Sequence, residues 1–365
     1  MGKKGKRAVS PIVALLIFVL FLAAVVAFFL LVPGEAPELT PIPSPVAATP
    51  TPAAWYKIYF TAPGSEPIDK GLEEFIRSAR YSVDMAIYQL DLPAIVQALI
   101  DVSRKGVKVR VVTDIDDVLD NPRENKAFLE LKRNGIPVVG GNTSGIMHNK
   151  FVVVDGQAVW TGSWNFTQND TTRYDNNSIL IYSPELAHNY LVTFNKMFEE
   201  KKFGPDRKPG GTTPRITIGG IPVENYFAPE DEVGAKITEK LEKATSSVYF
   251  MAFSFTDDRM GKVLREKARK GVTVKGVFET TGSETKYSEF GALLKAGIDV
   301  RQDGNPYLMH HKVFIIDEKI VITGSFNFST SADESNDENI VILEDPAIAR
   351  VFLAEFQRVY SEARR

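Results

Sequence analysis

The residues of this chain able to do chemistry come in two matched sets. Three of its four histidines lie in the segments MHNKFVVVDGQAVWTGSWNF and MHHKVFIIDEKIVITGSFNF. The first set is His148, Lys150, Asp155, Gly162, Ser163 and Asn165; the second, at identical spacing, is His310, Lys312, Asp317, Gly324, Ser325 and Asn327. At average composition six fixed positions match at a given start with a probability on the order of 10⁻⁸ or below. Alternate side chains of a strand share a face, so His148 projects with Lys150 and His310 with Lys312. A neutral imidazole attacks phosphorus and a protonated one donates to a leaving oxygen. Lys150, Lys312, Asn165 and Asn327 would stabilise the charge that spreads over nonbridging oxygens. That chemistry is displacement at a phosphodiester, done twice, with retention at phosphorus.

Asp155 and Asp317 sit five residues beyond their lysines, about 16 Å along an extended strand, and are read as structural turn residues. Ser163 and Ser325 either support phosphate or tie their strand to its neighbour. Asp114, Asp116 and Asp117 follow a strand but have no matching aspartates in VKGVFETTGS, so structural or rim duty is favoured over metal binding. His188 reads as an ordinary helix residue, and His311 has the strand phase opposite His310.

These residues need a scaffold that is itself written twice. GLEEFIRSARYSVDMAIYQL and VGAKITEKLEKATSSVYFMAFSF each give an amphipathic helix and a strand. A second helix and strand follow in both halves, with the step Arg-Lys-Gly-Val at 104–107 and 269–272 placing glycine just past a basic helix end. The order predicts an α/β fold of two similar βαβ-type halves, residues 55–207 and 215–365, with mixed sheets about a pseudo-twofold axis. Residues 208–214, containing KPGGTT, would join them. One composite cleft is expected between the halves.

The doubled motif resembles that of the phospholipase D superfamily, and its wording is closest to the compact endonuclease-like branch. The resemblance extends over residues 55–365. It implies a phosphodiesterase with a covalent phosphohistidine intermediate and no metal or cofactor, with His148 as nucleophile and His310 as general acid/base. It also implies a carboxylate beyond each motif that holds a catalytic histidine; Glu338 of Glu338-Asn339 fits fully, and Asp175 of Asp175-Asn176 is shorter than the family's glutamate. A carboxylate on the second ring nitrogen fixes the tautomer and favours imidazolium. Nucleic acid is the favoured substrate because of the motif wording and the lack of a large insertion. Phospholipid, hydrolysed or transferred, is the alternative, and a non-catalytic phosphate-binding module is a third. Trp164, Phe166, Phe326 and Phe328 either stack on bases or belong to the core.

Composition narrows the setting. There is no cysteine, which excludes disulfides, thiolate nucleophiles and cysteine-held metals. The formal charge of −3 gives no global field for a polyanion. After a basic segment, 1–11, the uncharged run Ile12–Val32 has 21 residues, enough at about 1.5 Å per residue to cross a hydrocarbon core of about 30 Å. It is read as a single transmembrane helix that places the rest of the chain outside the cell membrane. The stretch 33–54, with seven prolines, reads as an extended stalk. Self-association is left open, because two motifs in one chain remove the need for it.

Overall fold

A computed structural model describes residues 55–364. The expected membrane helix (12–32), with the basic segment before it and the whole stalk (33–54) after it, lies outside the described residues. Among those described, no helix is long and apolar enough to cross a membrane.

The first half runs β1 (Tyr56–Phe60), α1 (Ile68–Arg77), β2 (Ser82–Ile87), α2 (Pro93–Arg104), β3 (Lys108–Asp114), a π-helical turn (Ile115–Leu119), α3 (Lys126–Arg133), β4 (Val138–Gly141), β5 (Lys150–Val154), β6 (Ala158–Gly162), α4 (Gln168–Thr172), β7 (Asn177–Tyr182) and α5 (Pro184–Phe198). After the hairpin strand β8 (Arg215–Ile218), the second half repeats the plan. It comprises β9 (Ile221–Ala228), α6 (Val233–Glu242), β10 (Ser247–Ala252), α7 (Asp258–Arg269), β11 (Thr273–Phe278), α8 (Thr280–Ser283), α9 (Phe290–Lys295), β12 (Asp299–Gln302), β13 (Lys312–Ile316), β14 (Ile320–Gly324), α10 (Thr330–Glu334), β15 (Glu338–Glu344) and α11 (Pro346–Glu362). Sheet orders are β1-β7-β6-β5-β2-β3-β4 and β12-β11-β10-β13-β14-β15-β9-β8. Only β2-β3-β4 and β10-β11-β12 pair in parallel, so both sheets are mixed, as expected. The two Arg-Lys-Gly-Val steps end α2 and α7 with Gly106 at φ 93° and Gly271 at φ 88°, a left-handed helix stop that suits glycine.

Strand alternation sorts the apolar residues into layers. On β5, Phe151 and Val153 enter a core shared by both halves, while Val152 and Val154 enter the first half's own core beneath α1 and α2. On β13, Val313 and Ile315 join the shared core, whereas Phe314 and Ile316 face the second half's. Helices α5 and α11 add Tyr190, Phe194, Phe352 and Phe356 to the shared layer. Common burial on that layer joins the halves into one compact unit.

Two reciprocal seams cross between the halves. Met147 bridges Asp337 and Met309 bridges Asp175, so each half offers the same segment to the other, as a pseudo-twofold relation requires. Asp337 is fully buried; its carboxylate accepts from Asn142 Nδ2 at 2.8 Å and Gly204 N at 2.8 Å and forms an ion pair with Arg207, whose Nε lies 3.1 Å away. Across the axis, Asp175 takes Asn305 Nδ2 at 2.9 Å and the guanidinium of Arg358.

Asp155 and Asp317 occupy turns at φ 54° and 52°, away from their lysines. Asp155 Oδ1 accepts Tyr81 N at 2.7 Å and Ser82 N at 2.8 Å; Asp317 Oδ1 accepts Ser246 N at 2.7 Å and Ser247 N at 2.9 Å. Partial burial pushes the Asp317 carboxyl up, but donation from the Ser247, Ser246 and Thr245 amides outweighs it and holds the group well below the usual range. A depressed carboxyl stabilises the fold above its unfolded pKa of about 3.9 and loses that effect as pH falls. Asp317→Asn should therefore lower the urea midpoint at pH 7, with the gap to the parent narrowing between about pH 5 and pH 3. A gap of constant size would assign the effect to shape and not to charge.

Candidate active site

The residue before each histidine is held by a carboxylate at the end of a strand two places away in the sheet, β3 or β11. Asp114, the last residue of β3, accepts Met147 N at 2.8 Å through Oδ2 and Asp117 N at 2.8 Å through Oδ1. Glu279, just past β11, accepts Met309 N at 2.7 Å in the same way. Asp114 thus does have an equivalent in the second half, a glutamate where the sequence reading sought an aspartate. Burial pushes the Asp114 carboxyl up to about 6. The histidine amides donate across the seams, His148 N to Asp337 O at 3.0 Å and His310 N to Asp175 O at 2.8 Å.

His148 Nδ1 lies 2.8 and 2.9 Å from the two oxygens of fully buried Glu338. Burial lowers the imidazole to about 4 despite the opposing charge of Glu338, with Lys150 adding to the drop. At neutral pH the contact is therefore a hydrogen bond from neutral Nδ1–H to carboxylate, which leaves the Nε2 lone pair free. The Tyr88 ring stands edge-on to His148 at 5.2 Å, and Lys150 Nζ lies 5.3 Å from its centroid. Lys150 Nζ donates to His148 O at 2.8 Å, and burial lowers its pKa to about 8.

The second half differs at the ring partner. His310 Nδ1 meets the amide oxygen of Asn176 at 2.9 Å, with Asp170 Oδ1 at 3.5 Å. Asn176 Nδ2 faces two oxygens of Asp170 at 3.3 Å and Ser163 Oγ donates to Asn176 Oδ1 at 2.9 Å, which fixes the amide with its oxygen toward the ring. Phe253 replaces Tyr88, 4.7 Å from His310 and 4.8 Å from Lys312 Nζ. Lys312 Nζ donates to His310 O at 2.9 Å. Burial, then the charges of Lys312 and Lys150, hold His310 well below its ordinary value; burial, then Lys150, does the same to Lys312. Each ring is thus held by a residue of the opposite half, which brings the two His-Lys pairs to one site.

Asp175 does not hold a histidine ring. The registers of β6 with β7 and of β14 with β15 set Asn176 on Glu338, and Asp175 becomes the seam residue paired with Arg358. The sequence reading therefore missed Asn176 and Asp170, as well as Arg207 and Arg358 behind the seams. Ser163 and Ser325 act as strand ties: Asn177 N donates to Ser163 Oγ at 3.1 Å and Asn339 N to Ser325 Oγ at 3.0 Å. Asn165 and Asn327 each keep a buried amide oxygen without a hydrogen-bond partner, while Asn165 Nδ2 donates to Asp170 Oδ1 at 3.3 Å. Trp164, Phe166, Phe326 and Phe328 are core residues, which removes them as a base-stacking surface. His311 turns away from the site to Asn177 and Glu355, and His188 is exposed on α5.

The sequence profile described as "Cardiolipin synthase, PLD-like domain" matches residues 72–198 and 237–360, more than half of the chain. Mouse mitochondrial cardiolipin hydrolase is 37% identical over 128 residues, 35% of this chain and 58% of that protein. A phospholipase D of Rickettsia typhi is 38% identical over 131 residues, 36% of this chain and 64% of that protein. The chain thus spans less than two thirds of either relative's length. The solved phosphatidylserine synthase of Haemophilus influenzae Rd KW20 covers 86% of this chain and 90% of its own, with a TM-score of 0.67 at 14% identity, a likeness of fold.

Proposed function

Because this chain belongs to the PLD-like family, we propose that it is a phosphodiesterase that cleaves phospholipid headgroups through a phosphohistidine on His148. One observation carries the mechanism: a neutral His148 whose Nδ1–H is fixed on Glu338 and whose Nε2 is free, beside a second histidine held the same way round. In this reading Nε2 of His148 attacks phosphorus, and His310 in its imidazolium form, with Nδ1–H kept on Asn176, gives its Nε2 proton to the departing alcohol. His310 then takes a proton from water, which displaces His148. Lys150 and Lys312, with the amides of Asn165 and Asn327, hold the nonbridging oxygens. No step calls on a metal.

The lipid assignment draws on the likeness to a cardiolipin hydrolase and a phospholipase D and on the apolar run 12–32, which we propose tethers the enzyme at a membrane with its catalytic part outside the cell. A nucleic-acid substrate is the second reading. Tyr307, three residues before His310 and 52% exposed, carries the Arg173 guanidinium 5.1 Å from its ring centroid, a platform on which a base could stack.

The test is to give the full chain in detergent, with chelator present, labelled cardiolipin and phosphatidylglycerol micelles, single-stranded DNA, duplex DNA and RNA. Headgroup release or transfer lost in both His148→Ala and His310→Ala is the expected result. Cleavage of nucleic acid with lipid left intact would reverse the substrate assignment, and inertness toward every substrate would favour a binding module.

A further inference from the structure

The two halves depart from each other at a pair of positions that compensate. With His148 set on His310, Glu338 falls on Asn176 and Ala332 falls on Asp170. The first half has thus lost a carboxylate where the second has one and gained a carboxylate where the second has a methyl group. Both changes converge on one ring: Asn176 Oδ1 sits 2.9 Å from His310 Nδ1, and Asp170 Oδ1 sits 3.5 Å from the same atom and 3.3 Å from Asn176 Nδ2.

Helix capping does not account for Asp170. Its Oδ2 does close a box with the N-cap side chain, accepting from Thr167 Oγ1 at 2.8 Å while Asp170 N donates to Thr167 Oγ1 at 3.1 Å. Yet α10 starts identically with Ser329 accepting Ala332 N at 3.3 Å and has no acid at that position. Asp170 is only 3% exposed; burial raises its carboxyl against the hydrogen bonds from Thr167 and Asn165 and the charges of Lys150 and Lys312, and a buried carboxylate is costly unless it is paired and hydrogen-bonded. The oxygen left over from the box, Oδ1, is the one turned to Asn165, Asn176 and His310.

We propose that Asp170 is the displaced carboxylate partner of His310, a positioning residue that acts largely through the Asn176 amide. Each catalytic histidine then has one negative charge behind it, directly at His148 and one group removed at His310. The arrangement suits unequal tasks. His148 carries positive charge throughout the life of a phosphoryl adduct and has the direct carboxylate. His310 must release its proton to an alcohol and has the weaker hold on imidazolium.

This inference rests on the phosphohistidine reading, but one readout does not need turnover. In the full chain with ¹⁵N-labelled histidine, Asp170→Ala should lower the titration midpoint of His310, because a negative charge beside its imidazolium is gone. The variant Asp170→Ala/Asn176→Glu, which writes the second half's arrangement into the first, should raise that midpoint above the parent's. In kinetics, Asp170→Ala should lower kcat roughly 10-fold with KM little changed. It should also move the alkaline limb of kcat/KM to lower pH, since the protonated form of His310 is the one required. The double variant should recover rate and move the limb upward. Asp170→Asn, nearly isosteric, supplies the same comparison where the alanine variant unfolds. A uniform loss at every pH with the His310 midpoint unmoved would reduce Asp170 to a helix cap and overturn the proposal. So would a double variant matching Asp170→Ala in both readouts. Failure of the parent to turn over any phosphodiester, with the midpoints shifting as stated, would sink the enzymatic reading and leave the coupling intact.

Discussion

With a p-nitrophenyl phosphodiester, whose leaving group needs no proton, His310→Ala should release about one equivalent of nitrophenolate in a burst and then stall, while His148→Ala should give no burst. Steady-state loss in either variant is expected to be on the order of 10⁴-fold or more, because residues that act as one unit fail together. The distinction lies in which half-reaction survives. Without His310, Nε2 of His148 remains free and attacks, but no base activates water against the adduct. The phosphoryl group should then be recovered on the peptide containing His148 after an alkaline quench, since phosphohistidine is acid-labile. An adduct on His310, or a burst from His148→Ala, would exchange the two roles.

Much of this site can be read directly from the chain because it is local and repeated. His-x-Lys needs only strand alternation to place both side chains on one face, and the doubled helix-strand units fix the topology. What the sequence hid depends on register and on distance. A carboxylate followed by asparagine describes both Glu338-Asn339 and Asp175-Asn176, yet the pairing of β6 with β7 and of β14 with β15 makes Asn176 the counterpart of Glu338. Setting the two Gly-Ser-x-Asn segments in line would have shown it. The true partner of Asp175, Arg358, lies in the last helix, and no local pattern connects them. The aromatic residues after each Gly-Ser fit either a base platform or a core by periodicity alone; burial decides for the core.

The acid beside His148 offers the other large effect. Glu338→Gln keeps an oxygen able to accept Nδ1–H, so the tautomer survives, but it removes the charge that would stabilise the cationic phosphohistidine. The rate should fall on the order of 10²- to 10³-fold, as for other charge losses at preorganised sites. Its pH signature follows from the neighbours. The His148 imidazole already titrates near 4, where burial outweighs the charge of Glu338; without that charge it should titrate lower, moving the acid limb of kcat/KM down. Glu338 also raises Lys150 and Lys312 against their burial, so its loss should pull both lysines further down and weaken phosphate binding at pH values above the His310 limb. The acid limb should therefore move to lower pH in Glu338→Gln while the alkaline limb, set by His310, stays largely in place, whereas Asp170→Ala should leave the acid limb largely in place and move the alkaline one. Glu338→Asp, which keeps the charge on a shorter arm, should lower the rate while holding both limbs near the parent's. If Glu338→Gln instead lowered kcat with both limbs fixed, the carboxylate would be orienting the ring and its charge would have no part in the reaction.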